Sequence, residues 1–177
     1  MFSALTEKRR SVRIYADRPV EAEKVRAIVE AALRSPSGRA ARPWSFVVVT
    51  EKSILKKLST ARPQGVAFVE KAPLVIVVCG NPVVSPIWLE DCAIAAVTIQ
   101  YAAQDLGLGS CWSTMKDKQY NESTSSTEYI AEIIDLPKDF TILCLVAIGY
   151  PGETPAPYKK EDLCFDKVSY NCYGKRS

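Results

Sequence analysis

Leu89 to Leu106 reads LEDCAIAAVTIQYAAQDL, and its residues permit one long helix that is apolar on nearly every side. Such a helix has no polar face to give to water, so it is either central to a larger core or shared with a second subunit. Glu90, Asp91, Gln100, Gln104 and Asp105 argue against a membrane span, and Gly107 supplies a left-handed stop. Around this helix the chain places three strong strand signals: Trp44 to Thr50 (WSFVVVT), Leu74 to Cys79 (LVIVVC) and Thr141 to Ile148 (TILCLVAI). The second is a continuous apolar run bounded by Pro73 and Gly80-Asn81-Pro82, which predicts a strand buried on both faces. Leu108 to Thr114 adds an extended segment directly after the long helix.

Shorter helices fill the gaps. Phe2 to Lys8 has Phe2 and Leu5 on one side. Pro19, Glu21 and Glu23 open a helix whose Val25, Ile28, Val29 and Ala32 follow the i, i+3, i+4, i+7 stripe, ended by Ser35-Pro36-Ser37-Gly38. Ser53 to Ala61 faces Ile54, Leu55 and Leu58 inward, and a capping box of Ser125 with Glu128 starts a helix running to Asp135. Arg39 to Pro43, Arg62 to Gly65 and Lys116 to Ser126 read as loops. The strands are separated by helices of uneven length, with no regular βαβ rhythm and no G-x-G-x-x-G turn, so an α+β layered domain fits better than a doubly wound nucleotide fold. One domain over residues 1–177 is expected, with an irregular tail over 152–177 that has too few apolar residues for a layer of its own.

Composition narrows the function classes. A net charge of +3 is too weak for nucleic acid or an anionic membrane as main partner. No apolar segment of signal-peptide length stands near the start, which predicts a cytoplasmic protein. The six cysteines have no zinc-ligand or redox-motif spacing and read as reduced thiols, four of them inside apolar runs. The chain has no histidine. Ser-His and Cys-His nucleophile pairs and His-ligated metals are thereby excluded, and the chemistry must come from carboxylates, lysines, thiols or a borrowed cofactor.

The densest functional signal is Arg9-Arg10-Ser11-Val12-Arg13-Ile14-Tyr15, where three guanidiniums and a hydroxyl occupy five residues at the end of a helix. Guanidinium forks suit a bound phosphate. A basic cluster that complements a helix C-terminus and stays solvated is the other reading of the same residues.

Five stretches jointly resemble the flavin-dependent nitroreductase family: RRSVRIY at 9–15, SPSGRAARPWSFVVV at 35–49, APLVIVV at 72–78, DCAIAAVTIQYAAQDLGLGSCW at 91–112 and AIGYPGETPAP at 147–157. The resemblance implies a nitroreductase-like α+β fold, with a central, mainly antiparallel sheet flanked by helices. It implies an intertwined homodimer with two FMN molecules at the subunit interface and the tail packed on the partner. Arg9, Ser11 and Arg13, with Arg10 nearby, would hold the FMN phosphate. Lys159 or Lys160 would add a basic group from the tail, because Asp162 stands where relatives often carry arginine. Pro36, Ser37, Gly38, Arg39 and Ala40 would cover the flavin from the partner; Ala40 and Arg42 replace an Asn and a Gln common in the family. Ser110 to Thr114 would run along the isoalloxazine, with Trp112 beside the ring and the backbone of Ser113 or Thr114 directed at N5. Met115 would narrow the pocket, Cys111 would be a buried spacer, and Arg42 is a candidate for the charge near N1 and the C2 oxygen.

The implied activity is transfer of hydride from NADH or NADPH to the flavin and then to a nitroaromatic, quinone or similar small acceptor, in ping-pong order. No side chain need act as acid or base, which suits a chain without histidine. The same family also hosts dehalogenating and flavin-modifying relatives, and a non-catalytic flavin-binding dimer is a third reading.

Overall fold

The computed structural model describes residues 2–176. Met1 and Ser177, the outermost positions of the expected domain and tail, lie outside them. The chain forms helices α1 (Phe2–Lys8), α2 (Ala22–Leu33), α3 (Lys52–Leu58), α4 (Trp88–Asp105) and α5 (Ser126–Ile133), and strands β1 (Trp44–Val49), β2 (Leu74–Gly80), β3 (Gly109–Thr114) and β4 (Thr141–Gly149).

Every residue of β2 is buried, as its unbroken apolar run predicts. The strand lies inside a four-stranded sheet of order β1-β2-β4-β3, and every pairing is antiparallel. An antiparallel strand usually alternates between core and water; here helices cover both faces. Val75, Val77 and Cys79 belong to the core beneath α3 and α5, while Leu74, Ile76 and Val78 belong to the core beneath α2 and α4. The result is the α+β layered arrangement expected from the strand spacing. Replacing Ile76, which has no exposed surface, by alanine should lower the unfolding free energy by about 2–5 kcal/mol, because it leaves a cavity in the middle layer. A urea titration followed by circular dichroism measures this.

Along β4 the register against β2 shifts at Val78/Cys79, so Val78 pairs Cys144 while Cys79 pairs Ile142. Leu143 is the extra residue, and its carbonyl accepts from both Met115 N–H (2.9 Å) and Lys116 N–H (3.2 Å). That bulge ends β3 and turns the Met115 side chain fully into the core. Within this chain Met115 fills the core beneath α3 and α5, and not the pocket that the family resemblance implies it would narrow.

The long helix, expected from Leu89 to Leu106, is α4. It buries Cys92, Ala95, Ala96, Ile99 and Ala103 against the sheet. Ile94 and Val97 are 42% and 43% exposed, so an apolar stripe remains on its outer side. The turn Ala67–Lys71 leaves no mark in the sequence pattern; one 3₁₀ turn is too short to show a period. The tail first lies on its own chain, where Tyr15 bridges Pro151 and Gly152 N–H donates to the Ile14 carbonyl at 2.8 Å. Farther on, Leu163, Phe165, Val168, Tyr170 and Tyr173 stand exposed. Among the described residues no helix is long and apolar enough to cross a membrane.

Candidate active site

Residues 9–15 are held by what lies between their charges. Val12 and Tyr15 are buried, and Val12 N–H donates to the Ser110 carbonyl at 3.0 Å, tying the segment to the outer edge of β3. The Tyr15 hydroxyl donates to the Val12 carbonyl (2.6 Å), with the Ala147 carbonyl at 3.2 Å; burial pushes its acidity far out of the physiological range. The Glu153 carboxylate accepts from the backbone N–H of Arg13 at 2.5 Å and of Ile14 at 3.1 Å. Glycine is required at 109 because a Cβ there would lie 2.8 Å from the Val12 side chain. Gly109→Ala should therefore push the arginine segment off β3 and weaken phosphate or FMN binding at least tenfold, a loss of about 1.4 kcal/mol, which isothermal titration would detect.

With Val12 and Tyr15 turned inward, the arginines and the exposed Ile14 face a cleft of about 540 Å³ that Ser11, Glu153 and Tyr158 also line. Among the described residues none of the three arginines forms a salt bridge with a carboxylate side chain. The Arg10 guanidinium bonds the Ala156 carbonyl and lies 4.3 Å over the Tyr158 ring. Three guanidiniums thus outnumber the one carboxylate of the cleft, Glu153, whose oxygen is taken by backbone amides, so an oxyanion ligand still gains charge-assisted partners. Lys159 and Lys160 are exposed and do not line this cleft; Tyr158 does. Glu153 and Tyr158 carried no sequence signal, since a lone acid and a lone aromatic in a proline-rich segment look like ordinary loop residues.

On β3 the alternation of an antiparallel ladder separates Ser113 from Thr114. Met115 N–H bonds β4, and the ladder pairs Ser113 with Leu145, so the amide of Ser113 turns toward β4 and that of Thr114 turns to the open edge. Two outward carbonyls agree with this: that of Ser110, which accepts from Val12, and that of Thr114, which accepts from the Arg62 guanidinium at 3.0 Å. Arg62 thus sets a cation beside the end of β3, although its segment reads in the sequence only as a loop. The Trp112 indole N–H donates to the Thr114 hydroxyl at 2.7 Å, and its half-buried ring packs on the α4 side of the sheet. Cys111 is 1% exposed beneath Arg9, Ser11 and Arg13; burial pushes its thiol up more strongly than the nearby Arg13 charge pulls it down. It is a spacer and not a reactive thiolate.

Pro36, Ser37, Gly38 and Ala40 do not line the arginine cleft of their own chain. Gly38 instead meets the start of α4, where its N–H donates to the buried Asp91 carboxylate at 2.8 Å. The arginine segment bonds Ser110, just beyond the other end of α4. The 18 residues of that helix span about 27 Å at 1.5 Å per residue.

A two-sided α+β sheet with an arginine-lined cleft at its edge strand defines a nitroreductase-like architecture. The sequence profile described as Nitroreductase family matches residues 6–79 and 61–150, and the chain belongs to that family. The fold is similar to that of an FMN-dependent nitroreductase from Clostridium difficile R20291, with a TM-score of 0.94 and 39% identity over 96% of this chain and 98% of the other. A candidate NADH dehydrogenase/NAD(P)H nitroreductase of Archaeoglobus fulgidus is 32% identical over 158 residues, 87% of each chain. An FMN reductase [NAD(P)H] of Bacillus subtilis is 26% identical over 191 residues, covering 96% of this chain and 72% of that one.

Proposed function

We propose that this chain is an NAD(P)H-dependent FMN oxidoreductase acting as a homodimer, and that it passes electrons from a nicotinamide to a nitroaromatic, quinone or similar small acceptor in ping-pong order. The observation that carries the reading is the cleft lined by Arg9, Arg10 and Arg13, none of which is salt-bridged among the described residues, on the segment that Val12 ties to the outer edge of β3. Its donors fit a phosphate carrying up to two negative charges: guanidiniums of Arg9, Arg10 and Arg13 and the hydroxyl of Ser11. FMN, when bound, would supply the hydride and electron-transfer chemistry that these side chains lack.

This chain's own groups bind and polarise. The arginines and Ser11 hold the phosphate, and Lys159 or Lys160 reaches it only if the tail moves from the position described. The Thr114 amide, unpaired by β4, would be the donor offered to the ring's N5, and Arg62 fixes the carbonyl of the same residue. Neither role needs a proton carrier, in keeping with a chain without histidine.

A second copy completes the site. Within one chain the loop over 36–40 and the arginine segment stand at opposite ends of α4, too far apart for one flavin to touch both. The exposed stripe of Ile94 and Val97, with half-buried Tyr101, lies near the middle of α4. Packing these stripes across a two-fold axis, with the helices antiparallel, brings each loop beside the partner's arginine segment. The exposed apolar residues of the tail then have a second subunit to cover them. The test is an absorbance spectrum of purified protein followed by anaerobic rapid mixing with NADH and with NADPH. Oxidised flavin bands that bleach on mixing support the reading. A flavin that stays oxidised with both donors rules it out.

A further inference from the structure

The loop that follows Gly38 is held in an uncommon conformation. Arg39, Ala40 and Arg42 all have positive φ, at 52°, 55° and 49°, in the left-handed region where a Cβ is disfavoured. None of these residues is glycine or asparagine, so the conformation comes from the surroundings and not from local preference. Ser37 accepts twice: its hydroxyl oxygen from Arg42 N–H at 3.0 Å and its carbonyl from Ala40 N–H at 3.1 Å. The Gly38 carbonyl accepts from Ala41 N–H at 3.0 Å. Gly38 itself is clamped, because a Cβ there would fall 2.2 Å from the Ile87 side chain. The anchor is Asp91, 2% exposed, which forms no salt bridge among the described residues and takes the Gly38 N–H together with the Ser85 hydroxyl at 3.4 Å. A buried carboxylate is thus committed to fixing a loop in which Arg39, Ala40 and Arg42 are exposed.

Fixing the loop presents two guanidiniums. Arg39 and Arg42 are exposed, three residues apart in the same loop, and neither pairs with a carboxylate among the described residues. We infer that Arg39 and Arg42 are an anion-recognition pair that selects substrates carrying a carboxylate or phosphate group. The inference rests on the proposed oxidoreductase function, in which this loop stands over the partner's flavin. It assigns Arg42 to the substrate and not to the flavin's N1 and C2 oxygen. The rigid loop matters because a guanidinium on a fixed backbone loses less freedom on binding than one on a mobile segment.

The test compares isosteric acceptors, 4-nitrobenzoate against 4-nitrobenzamide, and nicotinamide donors with and without a 2′-phosphate, NADPH against NADH. Wild-type protein and the double variant Arg39→Gln, Arg42→Gln are assayed for kcat/KM and, by calorimetry, for equilibrium binding of the two nitro compounds. The expected result is a preference for the anionic member of a pair that falls about tenfold in the variant, the size of one charge-assisted contact at a partly exposed site. In wild type the same preference should shrink as KCl rises from about 0.05 to about 0.5 M. A change confined to the nitro pair places the anion on the acceptor, and one confined to the nicotinamides places it on the donor. A flavin-loaded protein whose preferences ignore both salt and the substitutions overturns this inference and leaves the oxidoreductase reading intact. A protein without flavin bands overturns the reading beneath it instead.

Discussion

Arg9→Ala combined with Arg13→Ala should give a folded protein that is mostly colourless. Neither arginine belongs to either core: the segment is held by buried Val12 and Tyr15, by the Val12 N–H bond to Ser110 and by the Glu153 clamp on backbone amides. None of those contacts uses a guanidinium. The phosphate, in contrast, loses two charge-assisted partners worth about 1.5–3 kcal/mol each, roughly a 10²- to 10⁴-fold loss in FMN affinity. The flavin absorbance near about 450 nm, relative to protein, after dialysis reads the loss, and circular dichroism reads the fold. Stoichiometric FMN in the double variant would refute the phosphate assignment.

The second large effect is expected at Thr114→Pro, and it separates two adjacent residues that composition cannot distinguish. Proline removes a backbone N–H, which an edge strand tolerates where that N–H points away from the sheet. At Thr114 it does, so the fold and the bound flavin should survive; Thr114→Val, which removes only the hydroxyl that accepts from the Trp112 indole, controls for that lost side-chain bond. The donor offered to N5 is lost, and loss of one preorganised donor costs about 10²- to 10³-fold in rate. Anaerobic stopped-flow reduction by NADH measures it. Ser113→Pro should do the reverse: its amide belongs to the ladder with Leu145, and an unpaired buried carbonyl costs about 1–3 kcal/mol of stability. If Thr114→Pro reduces at the wild-type rate, the outward amide has no part in the reaction.

Much of this molecule is legible in its amino-acid sequence. The unbroken run Leu74 to Cys79 announces a strand buried on both faces, and helices cover the sheet on both faces. The stripe Val25, Ile28, Val29, Ala32 marks α2, and Ser125 with Glu128 marks the capping box of α5. The arginines at 9, 10 and 13 are visible as a cluster because charge density is a property of neighbouring residues. Local signals of this kind depend on spacing along the chain, and spacing survives in sequence.

What the tertiary structure decided depends on residues far apart in sequence. Glu153 reaches the Arg13 and Ile14 amides across 140 and 139 positions, and Asp91 reaches Gly38 across 53. Nothing local marks either acid as a clamp. The choice between Ser113 and Thr114 rests on which amides β4 takes, and the burial of Met115 rests on a bulge at Leu143; both are facts of strand register. Chain-local chemistry was therefore determined by the sequence alone. Which side of each backbone stays free for a ligand was fixed only when the strands paired, because a hydrogen bond within the sheet removes that group from any other use.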